Sequence, residues 1–209
     1  MEKIDFTLEG KVALVTGASS GIGRHFSTVL AAHGAHVVAL ARRAGRLALL
    51  VSEIEAAGGQ ASAIEFDVTQ REGLVAVFDE AERAAGLIDV VVNSAGVASV
   101  GSALELSDDD WDHVMAVNVD GLRRVSQEAA RRLVAAEKPG TIVNVASIVG
   151  IRAAPGYTAY STSKAAVIQL TRTMAVELWR HDIRVNAICP GYFVTEINED
   201  FFTSERGKK

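Results

Sequence analysis

Tyr160 and Lys164 lie four positions apart in the segment YSTSKAA, among small side chains. If this segment is helical, both side chains lie on one face, one turn apart. A free phenol has a pKa of about 10, and a neighbouring ammonium favours the phenolate and lowers that pKa. The pair could therefore transfer protons. Most Tyr-x-x-x-Lys spacings are solvated helix surface, so the rest of the chain must decide.

Six short apolar runs recur along the chain, and several are rich in valine and isoleucine without polar alternation. That pattern is typical of strands covered on both faces, as in a parallel sheet. The runs are VALVTG from Val12, HVVAL from His36, ASAIEF from Ala61, IDVVVN from Ile88, TIVNVAS from Thr141 and IRVNAICPG from Ile183.

Helical patterns separate these runs, and local signals mark where some of them begin. Thr69 with Glu72 predicts a capping box that opens one helix, and Ser107 with Asp110 predicts the start of another. A long helix is expected over about residues 159–180. The stripe predicted for the helix after Thr69 consists of Leu74, Val77, Phe78 and Ala81.

This alternation of strands and helices predicts an α/β fold with a doubly wound, mostly parallel, Rossmann-like sheet flanked by helices. The chain has 209 residues, of which 49% are apolar, so it is long enough to bury a sizeable core. We find no repeat or linker that would divide it. The expected organisation is a single dinucleotide-binding and catalytic domain over residues 1–209.

Charge and composition argue against several classes of protein. The net charge of −5, without a basic stripe, argues against a nucleic-acid binder. Cys189 is the single cysteine, and the five histidines are scattered, so neither a disulfide framework nor a metal site is expected. The first residues do not resemble a signal peptide, and no apolar run approaches a membrane span. We expect a cytoplasmic protein with no membrane partner.

The first apolar run leads directly into TGASSGIG, with glycines at positions 17, 21 and 23. A turn between a strand and a helix can hold backbone N–H groups against a dinucleotide pyrophosphate, and glycine allows the close approach. The spacing differs from the common G-x-G-x-x-G. On these residues alone, a purely structural turn remains an alternative.

The turn resembles the cofactor turn of the short-chain dehydrogenase/reductase family, whose pattern is T-G-x-x-x-G-x-G. The resemblance extends in order along almost the whole chain, with Ser94 in place of the family's second asparagine. The further matches are Asp67 in FDV, Asn93, Ala95 and Gly96 in NSAG, Asn118 in MAVNV, Ser147 in VNVASIVG, Tyr160 and Lys164 in YSTSK, and Pro190, Gly191 and Thr195 in PGYFVT.

The resemblance implies roles for four catalytic residues. Tyr160 is expected to act as general acid and base, with Lys164 lowering its pKa and binding the nicotinamide ribose. Ser147 is expected to orient the substrate oxygen, and Asn118 to support a proton relay. Taken singly, Asn118 could merely kink a helix and Ser147 could be an ordinary strand-end serine.

The resemblance also implies a nicotinamide cofactor. Ala41 stands where NAD-type members carry aspartate, and Arg42 follows it. Because arginine pairs with phosphate, we expect NADP(H) to be preferred and NAD(H) to be possible, with Ser19 or Arg43 helping Arg42. Alternatively, the two arginines begin a solvated helix. The expected cofactor contacts are Gly17, Ser19, Ser20, Gly21, Ile22, Gly23, Arg42, Asp67, Val68, Asn93, Ala95, Gly96, Tyr160, Lys164, Pro190, Gly191, Val194 and Thr195.

The family pattern continues beyond Thr195 into a further helix and a final strand that have no counterpart in this sequence. Without that strand, the strand from Ile183 would be an exposed apolar sheet edge. We expect a C-terminal segment that is missing or disordered; alternatively, a partner covers this edge, or the protein departs from the family here. The resemblance suggests a homotetramer or homodimer, with helices around 119–137 and 159–180 at one interface.

The leading hypothesis is an NADP(H)-dependent oxidoreductase acting on a small-molecule ketone or secondary alcohol. A role like that of a 3-oxoacyl carrier-protein reductase is the family-level expectation. One alternative is a non-catalytic NADP(H)-binding sensor or scaffold, which would not need all four catalytic residues. An epimerase or dehydratase that oxidises its substrate transiently is another, although such enzymes usually carry a larger substrate domain.

Overall fold

A computed structural model describes residues 6–193. These residues form six strands and six α-helices, with one helix after each strand except that two helices lie between the fourth and fifth strands and none follows the sixth within the described part. The elements are β1 (Val12–Thr16), α1 (Gly21–Ala32), β2 (His36–Ala41), α2 (Ala44–Ala56), β3 (Gln60–Glu65), α3 (Leu74–Ala85), β4 (Val90–Asn93), α4 (Asp108–Met115), α5 (Leu122–Ala135), β5 (Gly140–Val145), α6 (Thr158–Leu178) and β6 (Ile183–Ile188). A π-helical segment, Ala116–Gly121, joins α4 to α5, and short 3₁₀ turns follow β5 and α6.

The six strands form one parallel sheet in the order β3-β2-β1-β4-β5-β6. The chain winds outward from β1 to β3, then returns to the centre and winds the other way from β4. This reversal opens a crevice outside the carboxyl ends of β1 and β4, where doubly wound sheets bind their ligands. The predicted fold class and all six predicted strands are confirmed.

Helices cover both faces of the sheet. Alternate strand residues point to opposite sides, and apolar residues on each side pack against helices. In β1, Leu14 packs into a core with α3 and α5, whereas Val15 packs into a second core with α1 and α2. Both side chains are fully buried. Such two-sided burial explains why the strands read as continuous apolar runs.

The predicted helix starts have mixed outcomes. Ser107 caps α4 as expected, since its hydroxyl accepts a hydrogen bond from Asp110 N at 3.1 Å. The capping box at Thr69 and Glu72 is wrong, because α3 begins at Leu74, after Gly73 at φ 88°. The Thr69 hydroxyl donates to the Asp67 carboxylate at 2.8 Å, and Thr69 lies in the loop that precedes the helix. The predicted stripe of α3 is buried.

Within the described part of the chain, β3 and β6 are the two edges of the sheet. The edge predicted at Ile183 is therefore present among these residues, while the C-terminal expectations lie outside them. In the same part, no helix combines the length and the apolar character needed to cross a membrane.

Candidate active site

A cleft lies along the carboxyl ends of the strands at the point where the strand order reverses. It gathers most of the residues predicted for cofactor and catalysis. Those that line it are Gly17, Ser19, Ser20, Gly21, Ile22, Gly23, Arg42, Asp67, Val68, Ala95, Gly96, Ser147, Tyr160, Lys164, Pro190 and Gly191. Asn93 and Asn118 lie beside the lining, and Val194 and Thr195 fall outside the described residues.

The glycine turn after β1 is packed too closely for side chains. Gly17 has φ 68°, and a Cβ there would lie 2.8 Å from the Ala95 backbone. A Cβ on Gly23, in the first turn of α1, would lie 2.5 Å from the Gly17 carbonyl oxygen. Thr16 braces the facing turn, because its hydroxyl accepts hydrogen bonds from Ser94 N and Ala95 N, both at 3.1 Å.

Arg42 lies beside Asp67 at the far end of the cleft. Its Nη1 is 3.6 Å from Asp67 Oδ2, and its side chain is 61% exposed. Burial opposes ionisation of Asp67, but hydrogen bonds from Thr69 and the charge of Arg42 outweigh it and lower the pKa of the carboxyl. Asp67 is therefore an ionised acceptor at neutral pH.

Arg43, rather than Arg42, contacts the glycine turn. Its Nε and Nη2 donate to the Ser19 hydroxyl at 3.1 and 2.9 Å, and Nη2 donates to the Ser20 hydroxyl at 2.6 Å. A guanidinium and two hydroxyls therefore meet at the end of β2, a combination suited to binding a phosphate.

Lys164 is almost completely enclosed at the inner end of the cleft. Only 4% of the residue is exposed, and Nζ donates to the Val145 carbonyl oxygen at 2.7 Å. Burial lowers the pKa of this amine to about 8, and the nearby Cys189 opposes that shift. The sequence does not predict the Val145 contact, because every residue type carries a backbone carbonyl that could accept this hydrogen bond.

Tyr160 lies on the same face of α6 as Lys164, with Nζ 5.6 Å from the centre of its ring. Burial raises the pKa of the phenol, the Ser147 hydroxyl partly offsets this, and Tyr157 adds to it. In this structure the pKa of the phenol is therefore set mainly by burial, and the lowering by Lys164 expected from the sequence stays a prediction. Burial dominates, and the ammonium is directed toward the Val145 carbonyl.

Ser147 lies two residues after the end of β5 and caps the 3₁₀ turn that follows. Its hydroxyl accepts a hydrogen bond from Val149 N at 3.3 Å, and the residue lines the cleft with Tyr160. Because that hydroxyl also interacts with the phenol, two O–H groups converge on one region of the cleft.

Asn118 lies within the π-helical segment between α4 and α5 and is fully buried. Its Oδ1 accepts from Val97 N at 2.8 Å, while Nδ2 donates to the Val97 carbonyl at 2.9 Å and to Ser163 Oγ at 3.0 Å. The side chain thus joins the loop after β4 to α6, next to Lys164. π-Bulges are frequent at functional sites, but the sequence carried no signal for this one.

Asn93 lies beneath the cleft rather than on its surface. Its amide donates to Ser126 Oγ at 2.8 Å and to Asn144 Oδ1 at 2.9 Å, and Asn144 donates to Thr171 Oγ1 at 2.9 Å. This buried ladder joins β4 and β5 to α5 and α6. Its effect is to position the elements that carry the cleft residues.

A metal site would need several acidic, histidine or cysteine side chains in one place. Among residues 6–193, no group of three or more of them could hold a metal ion.

Comparisons of sequence agree with this geometry. The sequence model of the family described as short chain dehydrogenase matches residues 11–206. A 3-oxoacyl-[acyl-carrier-protein] reductase, FabG, of Thermotoga maritima is 40% identical over 192 residues, which cover 92% of this chain and 78% of the relative. A gluconate 5-dehydrogenase of Gluconobacter oxydans is 40% identical over 200 residues, covering 96% and 78%.

Solved structures give the same result. A short-chain type dehydrogenase/reductase from Mycobacterium marinum superposes with a TM-score of 0.91 at 39% identity, covering 95% of this chain and 79% of that one. A gluconate 5-dehydrogenase from Burkholderia cenocepacia, solved with NADP and tartrate, gives 0.91 at 35% identity, covering 96% and 78%. This chain belongs to the short-chain dehydrogenase/reductase family of nicotinamide-dependent oxidoreductases.

Proposed function

We propose that the protein is an NADP(H)-dependent oxidoreductase that interconverts a small-molecule ketone and a secondary alcohol. One observation carries the proposal: Ser147, Tyr160 and Lys164 line the same cleft as the glycine turn. A dinucleotide bound along that turn therefore reaches the three groups that could manage the proton and the substrate oxygen.

The glycine turn fits the pyrophosphate of such a cofactor. Side chains at Gly17 and Gly23 would collide with backbone, so the turn leaves N–H groups at the first turn of α1 open to an anion. Asp67 and Val68 line the end of the cleft suited to adenine, and Lys164 lines the opposite end. When bound, the nicotinamide supplies or accepts the hydride.

Tyr160 is the proposed proton donor for ketone reduction. A phenol is protonated at neutral pH even at its usual pKa of about 10, and burial raises the pKa of Tyr160 further, so the side chain is in the form that donates. The Ser147 hydroxyl holds the same substrate oxygen by a hydrogen bond. Donation leaves a phenolate, and the positive charge of Lys164 on the same helix face stabilises it. In the direction of oxidation these roles reverse.

Asn118 is proposed to act mainly by positioning. Its amide atoms are engaged by Val97 and Ser163, so they hold α6 against the loop after β4. That contact sets the position of Lys164, which directly follows Ser163. The proton relay expected for Asn118 remains a prediction.

NADP(H) is the proposed cofactor, with NAD(H) as a weaker alternative. The contacts favour Arg43 as the main group for the 2′-phosphate, because it already reaches Ser19 and Ser20. Arg42 assists from beside Asp67. Two similar solved structures, both gluconate 5-dehydrogenases by their descriptions, contain NADP.

The substrate class is proposed from the relatives and the cleft mouth together. Relatives are named for the reduction of a 3-oxoacyl group on acyl-carrier protein and of 5-keto-D-gluconate, and both of these substrates contain a ketone. The mouth is bounded by the loops after β4 and β5, joined by a hydrogen bond from Gly101 N to Gly156 O at 2.9 Å. Val100 and Ile151 are exposed on these loops.

A cytoplasmic homotetramer or homodimer is proposed as the assembly. An apolar groove between α5 and α6 supports it, since Ala130, Leu170, Met174 and Leu178 line that groove. The groove lies on the two helices proposed for the interface, around 119–137 and 159–180. Light scattering during gel filtration measures the assembly mass directly.

The test is to follow NADPH consumption with a panel of ketones: a 3-oxoacyl thioester, 5-keto-D-gluconate and simple aliphatic ketones. Wild type is expected to turn over at least one of them, and Tyr160→Phe to lose more than about 100-fold in kcat while still binding NADPH, because general acid catalysis contributes about 10² to 10⁴. Wild-type turnover by Tyr160→Phe contradicts the assigned role. Binding of NADPH without turnover of any ketone would indicate a sensor.

A further inference from the structure

Helix α5 holds the loop after β3 from outside the cleft. Arg124 Nη1 donates to the carbonyl oxygen of Thr69 at 3.0 Å and to that of Val68 at 3.4 Å. The Nη2 of the same guanidinium lies 3.5 Å from an Asp120 carboxylate oxygen, and the Arg124 side chain is only 12% exposed. A largely buried cation therefore joins this loop to the helix.

Gly121 adds a close packing contact at the same place. A Cβ there would lie 2.8 Å from Val68 Cγ2 and 3.0 Å from the Val68 carbonyl oxygen. Gly121 ends the π-helical segment that begins at Ala116 and contains Asn118. The loop thus rests directly on the segment that braces the catalytic end of the cleft.

The inner side of this loop forms a wall of the cleft. Phe66, Asp67 and Val68 line it at the end opposite Lys164. Since β3 is an edge strand in the described chain, the loop has a neighbouring strand on one side alone. Arg42 pairs with Asp67 from the side of β2, and on the side of α5 Arg124 supplies polar contacts to the loop.

We propose that Arg124 is a positioning residue for the adenine half of the cofactor. It acts through the carbonyls of Val68 and Thr69, which set the wall formed by Asp67 and Val68. Arg124 is not among the described residues that line the cleft, so it acts on the cofactor indirectly. This inference rests on the proposed NADP(H)-dependent function.

The experiment compares wild type with Arg124→Gln in three measurements. The dissociation constant of NADPH is expected to rise about fivefold, because charge-assisted hydrogen bonds that order the loop are lost. The inhibition constant of adenosine 2′,5′-bisphosphate, which represents the adenine half alone, is expected to rise by the same factor. The kcat at saturating NADPH is expected to stay unchanged, because Tyr160 and Lys164 are untouched.

Arg123→Gln is the matched control, because Arg123 is adjacent, 42% exposed, and paired with the same Asp120 at 3.9 Å. Its other contact is Gln127 on the same helix. It should leave all three measurements unchanged. Arg124→Lys retains the charge and a donor, so it should recover part of the affinity lost in Arg124→Gln.

Two results would overturn the inference while leaving the proposed function intact. One is an unchanged NADPH dissociation constant in Arg124→Gln. The other is a fall in kcat by the same factor as the rise in that dissociation constant, which would mean a general disturbance of α5. Lack of NADPH binding by wild type overturns the proposed function itself, and this inference with it. Thermal unfolding without ligand verifies that each variant is folded.

Discussion

The Lys164 ammonium donates a hydrogen bond to the Val145 carbonyl at 2.7 Å, which ties α6 to the last residue of β5. The lysine is nearly inaccessible, and burial lowers the pKa of its amine to about 8. Burying an ammonium costs free energy that one hydrogen bond replaces only in part. The chemistry proposed for the cleft explains this residue better than stability does.

Lys164→Met should therefore stabilise the fold at pH 7 while abolishing ketone reduction. The pKa falls from 10.5 to about 8, and 2.5 units correspond to about 3 kcal/mol of unfavourable burial. Losing the hydrogen bond to Val145 subtracts about 1 kcal/mol, which leaves a gain of about 2 kcal/mol. Denaturant unfolding at pH 7 measures it. Lys138→Met, at an exposed position, should change stability by less than about 0.5 kcal/mol.

The gain from Lys164→Met should depend on pH in a specific direction. Below about pH 8 the lysine is charged in both the folded and the unfolded chain, so the whole burial cost is present. Above 10.5 it is neutral in both states and that cost vanishes. The stability difference should therefore shrink as pH rises from 8 to 10.5. A difference that is constant over this range would mean that Lys164 is hydrated in the folded protein.

The strands could be predicted from the sequence because each carries its own signal. Leu14 and Val15 are adjacent in β1 yet lie in different cores, and a strand buried on both faces needs a continuous apolar run. The start of α4 could also be predicted from the sequence, because Ser107 lies three residues before Asp110 and its hydroxyl caps the Asp110 N–H. In these cases the determinants are local in the chain.

The other features depend on which of several competing contacts the folded chain makes. Thr69 and Glu72 match a capping box, but Thr69 bonds to Asp67 within the loop, and α3 begins only after Gly73. The π-helical turn around Asn118 likewise reflects its bonds to Val97 and Ser163, which no spacing rule includes. The pKa of the Tyr160 phenol could not be predicted from the sequence either, because its burial is a property of the folded cleft.

Cofactor choice should respond more to Arg43 than to Arg42. Arg43→Gln removes the guanidinium that reaches Ser19 and Ser20, so the dissociation constant of NADPH should rise about tenfold or more. That of NADH should change less than about twofold, because it has no 2′-phosphate to pair. Fluorescence titration of both cofactors measures these constants.

Arg42→Gln is the matched control for this comparison. Arg42 is largely exposed and lies 3.6 Å from Asp67, so its loss should weaken NADPH binding less than the loss of Arg43 does. If Arg42→Gln instead raised the NADPH dissociation constant more than Arg43→Gln, Arg42 would be the main determinant, as expected from the sequence. Equal binding of NADPH and NADH by wild type would contradict the proposed NADP(H) preference altogether.

Two glycine substitutions should shift stability in opposite directions. Gly45 lies in the first turn of α2, is exposed, and has no atom within 4 Å of an added Cβ, so Gly45→Ala should stabilise by about 0.5–1 kcal/mol.

A Cβ on Gly23 would lie 2.5 Å from the Gly17 carbonyl oxygen, so Gly23→Ala must push α1 away from the turn. It should destabilise by about 2 kcal/mol or more and weaken NADPH binding. Thermal unfolding separates the two, and a Gly23→Ala protein with wild-type stability and affinity would show that the turn is looser than its packing indicates.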